Sequence, residues 1–232
     1  MKIVALIAAA GRGKRMNSKI GKPFIPIFRK PILAYTLEKF EKCKFIDKIY
    51  LVVTDKEKDY CWKNIVLKYY LTKVQKLITG GDTRQDSVFN GLKSIDSDTD
   101  IVVIHDGARP LVDESIIKES IRVAEKSGAA IAAVPVRDTV KKIEENFFIH
   151  STLDRGKIWR AQTPQTFGYK LILSTYKKAR KDGYTATDDA ALLERYGHKV
   201  KLIIGSEENI KITSPFDIIV AENILKRGIR FK

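Results

Sequence analysis

The fold class is decided by residues 2–13, KIVALIAAAGRG, in which a mostly apolar run leads into two glycines. Residues 2–9 are apolar almost without interruption instead of alternating with polar residues. A strand of a parallel sheet has this composition, because both of its faces are covered. Five further runs have the same character and are predicted as strands: 48–54, 74–79, 100–105, 129–134 and 199–204.

Amphipathic segments separate these strands and are predicted as helices. Three of them carry one apolar stripe at positions i, i+4 and i+7: Leu33, Leu37 and Phe40; Val88, Leu92 and Ile95; Ile117, Ile121 and Ala124. The last helix is predicted to begin with Ser214 as the N-cap, followed by Pro215 and Asp217. Alternating strands and helices imply parallel crossovers. The chain is therefore predicted to be an α/β protein with a Rossmann-like, mostly parallel sheet flanked by helices.

Residues 136–157 interrupt this alternation. They are mostly polar, and two extended runs flank Glu144-Glu145-Asn146, which is typical of a hairpin turn. An isolated two-stranded ribbon is marginally stable in water, so Phe147 and its apolar neighbours require a partner surface. We expect one domain, 1–232, whose protruding β-hairpin arm, 136–157, embraces a second copy of the chain to form a homodimer.

Composition excludes several classes of protein. The 232 residues are 44% hydrophobic and 31% charged, which is enough apolar material for a core and excludes a disordered chain. No apolar run approaches the ~20 residues that span a bilayer, and the N-terminus does not resemble a signal peptide. Cys43 and Cys61 form no CxxC motif. We therefore expect a cytoplasmic protein without a membrane partner.

The formal net charge of +15 favours anionic partners. The lysines are spread along the chain, whereas a nucleic-acid-binding protein concentrates its positive charge in a patch. The dispersed pattern is more typical of a solvated surface, and we expect no nucleic-acid partner.

The glycine loop, residues 8–16 (AAAGRGKRM), follows the first predicted strand. Small residues and glycines let backbone N–H groups approach a ligand closely and hold phosphate oxygens. The loop lacks the Lys-Ser/Thr ending of a Walker loop, and Met16 stands where a dinucleotide-binding fingerprint has its third glycine. A tight strand–loop connection is an equally good interpretation of the glycines alone. The nearby cations Lys14, Arg15 and Lys22 favour phosphoryl or nucleotidyl transfer, which needs positive charge at the reacting phosphorus.

Two more polar clusters follow predicted strands. In residues 105–110 (HDGARP), Asp106 is placed to hold Mg²⁺ or a ribose hydroxyl, since ligands bind at the carboxyl ends of strands. A helix cap or an ion pair with Arg109 is the alternative, and His105 is expected to be structural. In residues 80–87 (GGDTRQDS), free N–H groups at a helix start could contact a base, although simple capping by Asp82 or Thr83 would also explain them.

Taken in order, these motifs resemble the 2-C-methyl-D-erythritol 4-phosphate cytidylyltransferase family of the non-mevalonate isoprenoid pathway. The resemblance covers nearly the whole chain and rests on AAAGRGKRM, GGDTRQDS, HDGARP, PVRDT, LDRGKIWRAQTPQTF, TDDA and NIKIT. It implies a homodimer with a β-arm, transfer of CMP from CTP to the polyol phosphate methylerythritol phosphate, release of pyrophosphate and a requirement for Mg²⁺.

The resemblance also implies roles for individual residues. Arg15 and Lys22 would stabilise the pentacoordinate α-phosphorus, and Arg155 and Lys211 complete the implied catalytic set. The residues implied to bind CTP are Ala8, Ala9, Ala10, Gly11, Gly13, Arg15, Lys22, Gly80, Asp82, Ser87, Asp106 and Ala108. Those implied to bind the acceptor are Asp106, Arg109, Thr139, Arg155, Thr163, Thr187 and Lys211, with Arg155 reaching the site of the partner subunit. Asp106 is the one implied metal ligand. Related sugar nucleotidyltransferases often use a second carboxylate, whereas this chain has Lys211 in that segment.

Charge alone suggests the mechanism. The acceptor's phosphate has a second pKa of ~6 and is largely ionised at neutral pH, so it attacks without a general base. The protein then has to bring two anions together and neutralise them. Two alternatives remain open: a ribitol 5-phosphate cytidylyltransferase, which shares the glycine loop and the TPQ segment, and a non-catalytic RNA-binding protein.

Overall fold

A computed structural model describes residues 1–11 and 21–230. Its strands are β1 (Ile3–Ala8), β2 (Pro26–Ile27), β3 (Lys30–Pro31), β4 (Lys48–Val53), β5 (Val74–Thr79), β6 (Ile101–Asp106), β7 (Ala129–Pro135), β8 (Lys141–Ile143), β9 (Ile149–Thr152), β10 (Trp159–Gly168) and β11 (Lys201–Ile204). Its α-helices are α1 (Ile32–Lys42), α2 (Lys58–Cys61), α3 (Arg84–Ser94), α4 (Glu114–Ser127), α5 (Tyr169–Lys181), α6 (Asp189–Arg195) and α7 (Pro215–Arg230). The residues 62–67 that follow α2 continue it as a π-helix.

Seven strands form one sheet in the order β11-β7-β10-β6-β1-β4-β5. β1 pairs in parallel with both β4 and β6, and β4 pairs in parallel with β5. On the other side, β11 is parallel to β7. All six predicted strands lie in this sheet, with bounds within two residues of the prediction. The predicted α/β class, with a mostly parallel sheet flanked by helices, is confirmed.

Continuous apolar character in β1 follows from burial on both faces. Ile3, Ala5 and Ile7 pack into one core with α1 and α4. Val4 and Leu6 point the opposite way, into a second core with α3, α5 and α6. The three apolar stripes predicted for α1, α3 and α4 are all buried against the sheet. Gly91 lets α3 pack closely, since a Cβ at this position would lie 2.5 Å from Cδ1 of Leu6.

The sequence did not predict β10, which is antiparallel to both of its neighbours, β6 and β7. This strand contains Pro164 and is largely polar, so it lacks the apolar run that marked the other strands. Its polar side chains are nevertheless buried: Gln162, Thr163, Gln165 and Thr166. They are stable in the interior because each is hydrogen-bonded to another segment.

Helices α5 and α6 were also not predicted. α5 buries Ile172, Tyr176 and Ala179, which have the same i, i+4, i+7 spacing as the predicted stripes. That signal was present in the sequence. α6 has only seven residues and begins at the N-cap Asp188, so it is too short for a periodic pattern.

The predicted hairpin is present as the antiparallel pair β8–β9. Its turn passes through Asn146 in the left-handed conformation, φ 59°, which asparagine tolerates better than most residues. At the tip, Phe147 is 87% exposed, and Phe148 and Ile149 are also exposed. The use of this arm as a dimer contact stays a prediction.

Within the two described ranges, none of the helices combines the length and the apolar character that crossing a bilayer requires.

Candidate active site

The glycine loop and the HDGARP segment leave the sheet side by side, because β1 and β6 are parallel neighbours with Ala8 opposite Asp106. The N–H of Gly107 donates to the carbonyl of Ala8 at 2.9 Å. A Cβ at Gly107 would lie 3.0 Å from Cβ of Ala9, so glycine permits this close approach. The carboxyl ends of the two strands therefore open onto one shared edge of the sheet.

The GGDTRQDS segment meets the same edge from β5. A Cβ at Gly80 would lie only 2.3 Å from Cβ of Ala10, which places this loop against the glycine loop. The N–H of Gly81 donates to Oγ of Ser87 at 3.0 Å. Thr83 is the N-cap of α3 and accepts from the N–H of Asp86, so the capping interpretation of this segment holds for Thr83. Gly80 and Ser87, with the exposed Asp82 between them, thus lie near the backbone of Ala8–Gly11.

Asp106 is the centre of a charged group that we call the Asp106 cluster: Asp106, Arg84, Arg109 and Lys211. Nζ of Lys211 lies 2.7 Å from Oδ2 of Asp106, and Nε of Arg84 lies 3.1 Å from Oδ1. Nε of Arg109 is 3.8 Å from Oδ2. The alternative interpretation of Asp106, an ion pair with Arg109, is thus present, but two closer cations share the carboxylate.

Arg84 is held from behind by a second carboxylate. Its two terminal nitrogens contact the two oxygens of Asp189 at 3.0 and 2.8 Å, a bidentate pair. The hydroxyl of Tyr176 donates to the same carboxylate. Asp189 is fully buried. Arg84 therefore bridges a carboxylate in the interior and a carboxylate at the sheet edge.

These contacts set the charge of each group. Burial would raise the pKa of Asp106, but the charges of Arg84, Lys211 and Arg109 outweigh it and lower that pKa below its usual range. Burial would lower the pKa of Arg84, and the carboxylates Asp189 and Asp106 raise it instead. Burial lowers the pKa of Arg109, with Asp106 opposing. At neutral pH, Asp106 is ionised and Arg84 is charged.

The loop before α7 delivers Lys211 to the cluster. The N–H of Ile212 donates to the carbonyl of Ala108 at 2.9 Å. Nη1 of Arg109 donates to the carbonyl of Asn209 at 2.7 Å. Two hydrogen bonds thus fix this loop to the loop that follows β6, and Lys211 lies between them in the sequence.

His105 is structural, as predicted. Its Nδ1 is 3.0 Å from Oγ1 of Thr163, and that hydroxyl oxygen also accepts from the N–H of Asp106 at 3.1 Å. Nε2 lies 3.1 Å from the carbonyl of Arg109, which can only accept, so Nε2 carries the ring proton and donates. In the neutral ring Nδ1 then accepts, and the hydroxyl of Thr163 donates to it. Both ring nitrogens are engaged in a neutral, fully buried imidazole, which leaves His105 no role as a base.

The structure thus brings together five residues that the sequence assigned to the site: Asp106, Ala108, Arg109, Thr163 and Lys211. Three others have no such contact: among the described residues, Thr139, Arg155 and Thr187 form no hydrogen bond or ion pair with the Asp106 cluster. Arg155 instead donates to the carbonyl of Arg137 at 2.9 Å, at the base of the arm. Gly13 and Arg15 lie outside the described residues, as does the side chain of Lys22.

Sequence reasoning missed Arg84, Asp189 and Tyr176. One signal was available, because Arg84 is the first residue of α3, where the helix dipole disfavours a cation. An arginine at that position indicates a specific anionic partner. Nothing local identifies Asp189, 105 residues away, as that partner.

The donor set at this edge does not fit a metal held by the protein alone. Both oxygens of Asp106, the one predicted ligand, already contact cations. Within residues 1–11 and 21–230, there is no group of three His, Cys, Asp or Glu side chains arranged to bind a metal ion.

Burial lowers the pKa of His105 to about 4, whereas an unfolded histidine has a pKa of about 6.5. Between pH 4 and pH 6.5 the unfolded chain binds a proton at His105 that the folded chain excludes. The contribution of His105 to the free energy of unfolding is therefore fully present above about pH 6.5 and is lost as the pH falls towards 4. We expect His105 to reduce the free energy of unfolding by about 3 kcal/mol between pH 7 and pH 4. Urea denaturation across this range would measure the loss.

Other groups also titrate over this range, so variants isolate the effect. In His105→Gln the loss between pH 7 and pH 4 should be smaller by about 3 kcal/mol. The exposed His198→Gln is the control and should retain the full loss. Equal losses in wild type and His105→Gln would show that folding does not lower the pKa of His105.

Comparison with known proteins places this site in a family. Residues 3–227 match the sequence model of the family described as IspD, 2-C-methyl-D-erythritol 4-phosphate cytidylyltransferase. A protein of that name from Alkaliphilus oremlandii is 50% identical over 97% of this chain and 95% of its own length. Another, from Caldanaerobacter subterraneus, is 45% identical over 98% of this chain and 100% of its own length.

Comparison with solved structures indicates the same family. The 4-diphosphocytidyl-2C-methyl-D-erythritol synthase of Anaerococcus prevotii superposes with a TM-score of 0.87 at 36% identity, covering 97% of this chain and 96% of that one. The 2-C-methyl-D-erythritol 4-phosphate cytidylyltransferase of Thermus thermophilus superposes with a TM-score of 0.80 at 28% identity, covering 97% of this chain and 100% of that one. Because the match to the family model and to these relatives runs nearly end to end, the chain belongs to the 2-C-methyl-D-erythritol 4-phosphate cytidylyltransferase family.

Proposed function

We propose that the protein transfers CMP from CTP to 2-C-methyl-D-erythritol 4-phosphate, forming 4-diphosphocytidyl-2-C-methyl-D-erythritol and pyrophosphate. The observation that carries this proposal is the 45–50% identity, over nearly the full chain, to proteins with this activity in their name. The charge of the site suits the anionic substrates of this reaction, since the Asp106 cluster presents cations at the edge where ligands of open α/β sheets bind.

The reaction needs charge neutralisation more than proton transfer. The acceptor's phosphate attacks the α-phosphorus of CTP, a P–O bond forms, and pyrophosphate leaves with the electron pair of the broken bond. With a second pKa of ~6 this nucleophile is already ionised, and the buried, neutral His105 is consistent with a mechanism that uses no general base. Positioned cations lower the barrier by stabilising charge on the crowded phosphorus.

Each part of the sheet edge has a proposed role. The backbone of Ala8–Gly11, with Gly80 and Ser87, holds the nucleotide. Lys211, whose side chain is 38% exposed, is accessible to phosphate oxygens while it contacts Asp106. Asp106 orients hydroxyl groups of the ribose or the acceptor.

A divalent cation is general among nucleotidyltransferases, and we propose Mg²⁺. Because the described residues do not form a site for a protein-held metal, the cation would be bound chiefly by the phosphates of CTP. No step of the mechanism above depends on it.

We also propose that the arm, 136–157, joins two copies of the chain. Three neighbouring apolar side chains at its tip, Phe147, Phe148 and Ile149, are exposed, and exposed clusters of this kind are typical of interaction surfaces. Arg155 and Thr139 lie on the arm segment, and within the described part of the chain neither is hydrogen-bonded or ion-paired to the Asp106 cluster. In a dimer joined by the arms, these two residues of one subunit would reach the acceptor site of the other.

The direct test of activity is pyrophosphate release from the purified protein with CTP, Mg²⁺ and 2-C-methyl-D-erythritol 4-phosphate. We expect turnover with CTP to exceed that with ATP, GTP and UTP by at least ~100-fold, since a built base site discriminates by about 3 kcal/mol or more. Ribitol 5-phosphate serves as the competing acceptor. Preference for ribitol 5-phosphate, or steeply salt-dependent RNA binding without turnover, would support one of the alternative functions instead.

We expect Arg15→Ala and Lys22→Ala each to lower kcat by about 10²–10³-fold, the cost of losing one preorganised group that stabilises transition-state charge. Circular dichroism and thermal unfolding should show that both variants stay folded. Lys14→Ala, which removes a charge from the same loop, is the matched control and should retain nearly full activity. Normal turnover in either Arg15→Ala or Lys22→Ala would remove that residue from the proposed mechanism.

For the arm, sedimentation at micromolar concentration should find wild type as a dimer and the double variant Phe147→Asp/Phe148→Asp as a folded monomer with little activity. Tyr70→Asp is the control, because Tyr70 is 84% exposed but lies outside the arm. A monomeric wild type with full activity would contradict the proposal.

A further inference from the structure

Arg84 and Lys211 share one carboxylate but are held very differently. Arg84 lies at the start of α3 and makes three charged hydrogen bonds, one to Asp106 and two to Asp189. Asp189 is in turn fully buried and accepts from the hydroxyl of Tyr176. The guanidinium is planar and bonds through a fixed fork, so this arrangement leaves Arg84 little freedom.

Lys211 has much greater freedom. It lies in a loop, and its flexible side chain is 38% exposed. Among the described residues, its ammonium makes one short contact, to Oδ2 of Asp106. Arg109 is intermediate, since its Nε lies 3.8 Å from Asp106 while its Nη1 is fixed to the carbonyl of Asn209. Counted over the part of the chain that the structure describes, Lys211 has the fewest bonds of these three cations to break if it is to move.

The balance of charge also indicates that Lys211 is the cation that can leave Asp106. Arg84, Arg109 and Lys211 face two carboxylates, Asp106 and Asp189, which gives a net charge of +1. If Lys211 leaves, the two arginines still balance the two carboxylates. Asp106 therefore keeps compensation for its buried charge without Lys211, provided that Arg84 stays in place.

We propose that Arg84, anchored by Asp189 and Tyr176, is a positioning residue that acts as the permanent counter-ion of Asp106 and so frees Lys211 to leave Asp106 for the phosphate oxygens of a bound substrate. The proposal rests on the proposed function for the identity of the substrate. It adds to that function a distinction between two cations: Arg84 stays with Asp106, whereas Lys211 moves to the substrate.

The first test measures how tightly Lys211 is held, and it requires no activity. An N-hydroxysuccinimide ester of acetate labels lysines, and mass spectrometry gives the rate at Lys211 relative to the exposed Lys170 of the same molecule. In Arg84→Gln, Asp106 depends more heavily on Lys211, so we expect labelling of Lys211 to slow at least threefold. General loosening of the fold would accelerate labelling instead. An unchanged or faster rate would overturn the proposal.

Two further variants complete this test. Tyr176→Phe removes the hydroxyl that donates to Asp189, so Asp189 draws Arg84 more strongly and away from Asp106. We expect the labelling of Lys211 to slow in this variant as well. On a logarithmic scale the slowing should be about half of that in Arg84→Gln. If Arg84→Gln does not fold, Tyr176→Phe decides the outcome by the same criterion. Arg122→Gln removes an arginine that pairs with Glu119 on α4 and is the control, with no change expected.

The second test uses turnover. Lys211→Ala should lower kcat/KM for the acceptor by at least tenfold more in the wild-type background than in Arg84→Gln, because Lys211 is already immobilised in the latter. If Lys211→Ala lowers kcat/KM by the same factor in both backgrounds, the two residues act independently and the proposal is overturned. Adding CTP alone and the acceptor alone to the labelling reaction identifies which substrate's phosphate draws Lys211 away.

Failure of the proposed function and failure of this inference are distinguishable. Absence of pyrophosphate release by wild type would remove the substrate assignment, while labelling would still show whether Arg84 controls Lys211.

Discussion

A carboxylate buried at the end of a central strand is the constraint on which this site depends. Asp106 ends β6, in the middle of the sheet, and is only 6% exposed. An unpaired charge in such a place would cost several kcal/mol. Its compensation comes from three separate segments: the start of α3, the loop after β6 and the loop before α7. Satisfying one buried charge therefore fixes three otherwise independent parts of the chain at one edge.

The same constraint explains how a strongly basic chain concentrates its function. Most of the +15 net charge is spread over the surface, where it attracts anions at long range without selecting among them. At the site, carboxylates nearly cancel the cations, and what distinguishes them is how firmly each is held. Under the arrangement proposed above, Arg84 stays with the two carboxylates and Lys211 is the cation that can turn to a phosphate.

The predictable part of this structure was encoded locally. Four of the six predicted strands, β1, β4, β6 and β7, are buried on both faces and are therefore apolar at nearly every position, as in residues 2–9. The other two, β5 and β11, are the partly exposed edge strands, and their remaining apolar residues were enough to predict them. β10 could not be predicted, because Gln162 and Gln165 are polar and are stable in the interior only through partners in other segments. In the site, Asp106, Arg109 and Lys211 could be identified from short motifs. The pairing of Arg84 with Asp189 could not, since no local pattern reports which residues 105 positions apart will meet.

The direction of β10 has a consequence for the order in which the protein is made. This strand separates β6 from β7 and pairs with both, so the two halves of the sheet have no contact as neighbouring strands until residue 168 has been synthesised. Asp189 and Lys211 come later still. During translation, the segment that holds Arg84, Asp106 and Arg109 therefore exists before Asp189 and Lys211 complete the charged group. Such long-range closure is intrinsically slow. Nascent chains of this protein therefore pass through a period in which a half-built sheet carries an exposed edge, the stage at which a growing cell would have most need to shield it.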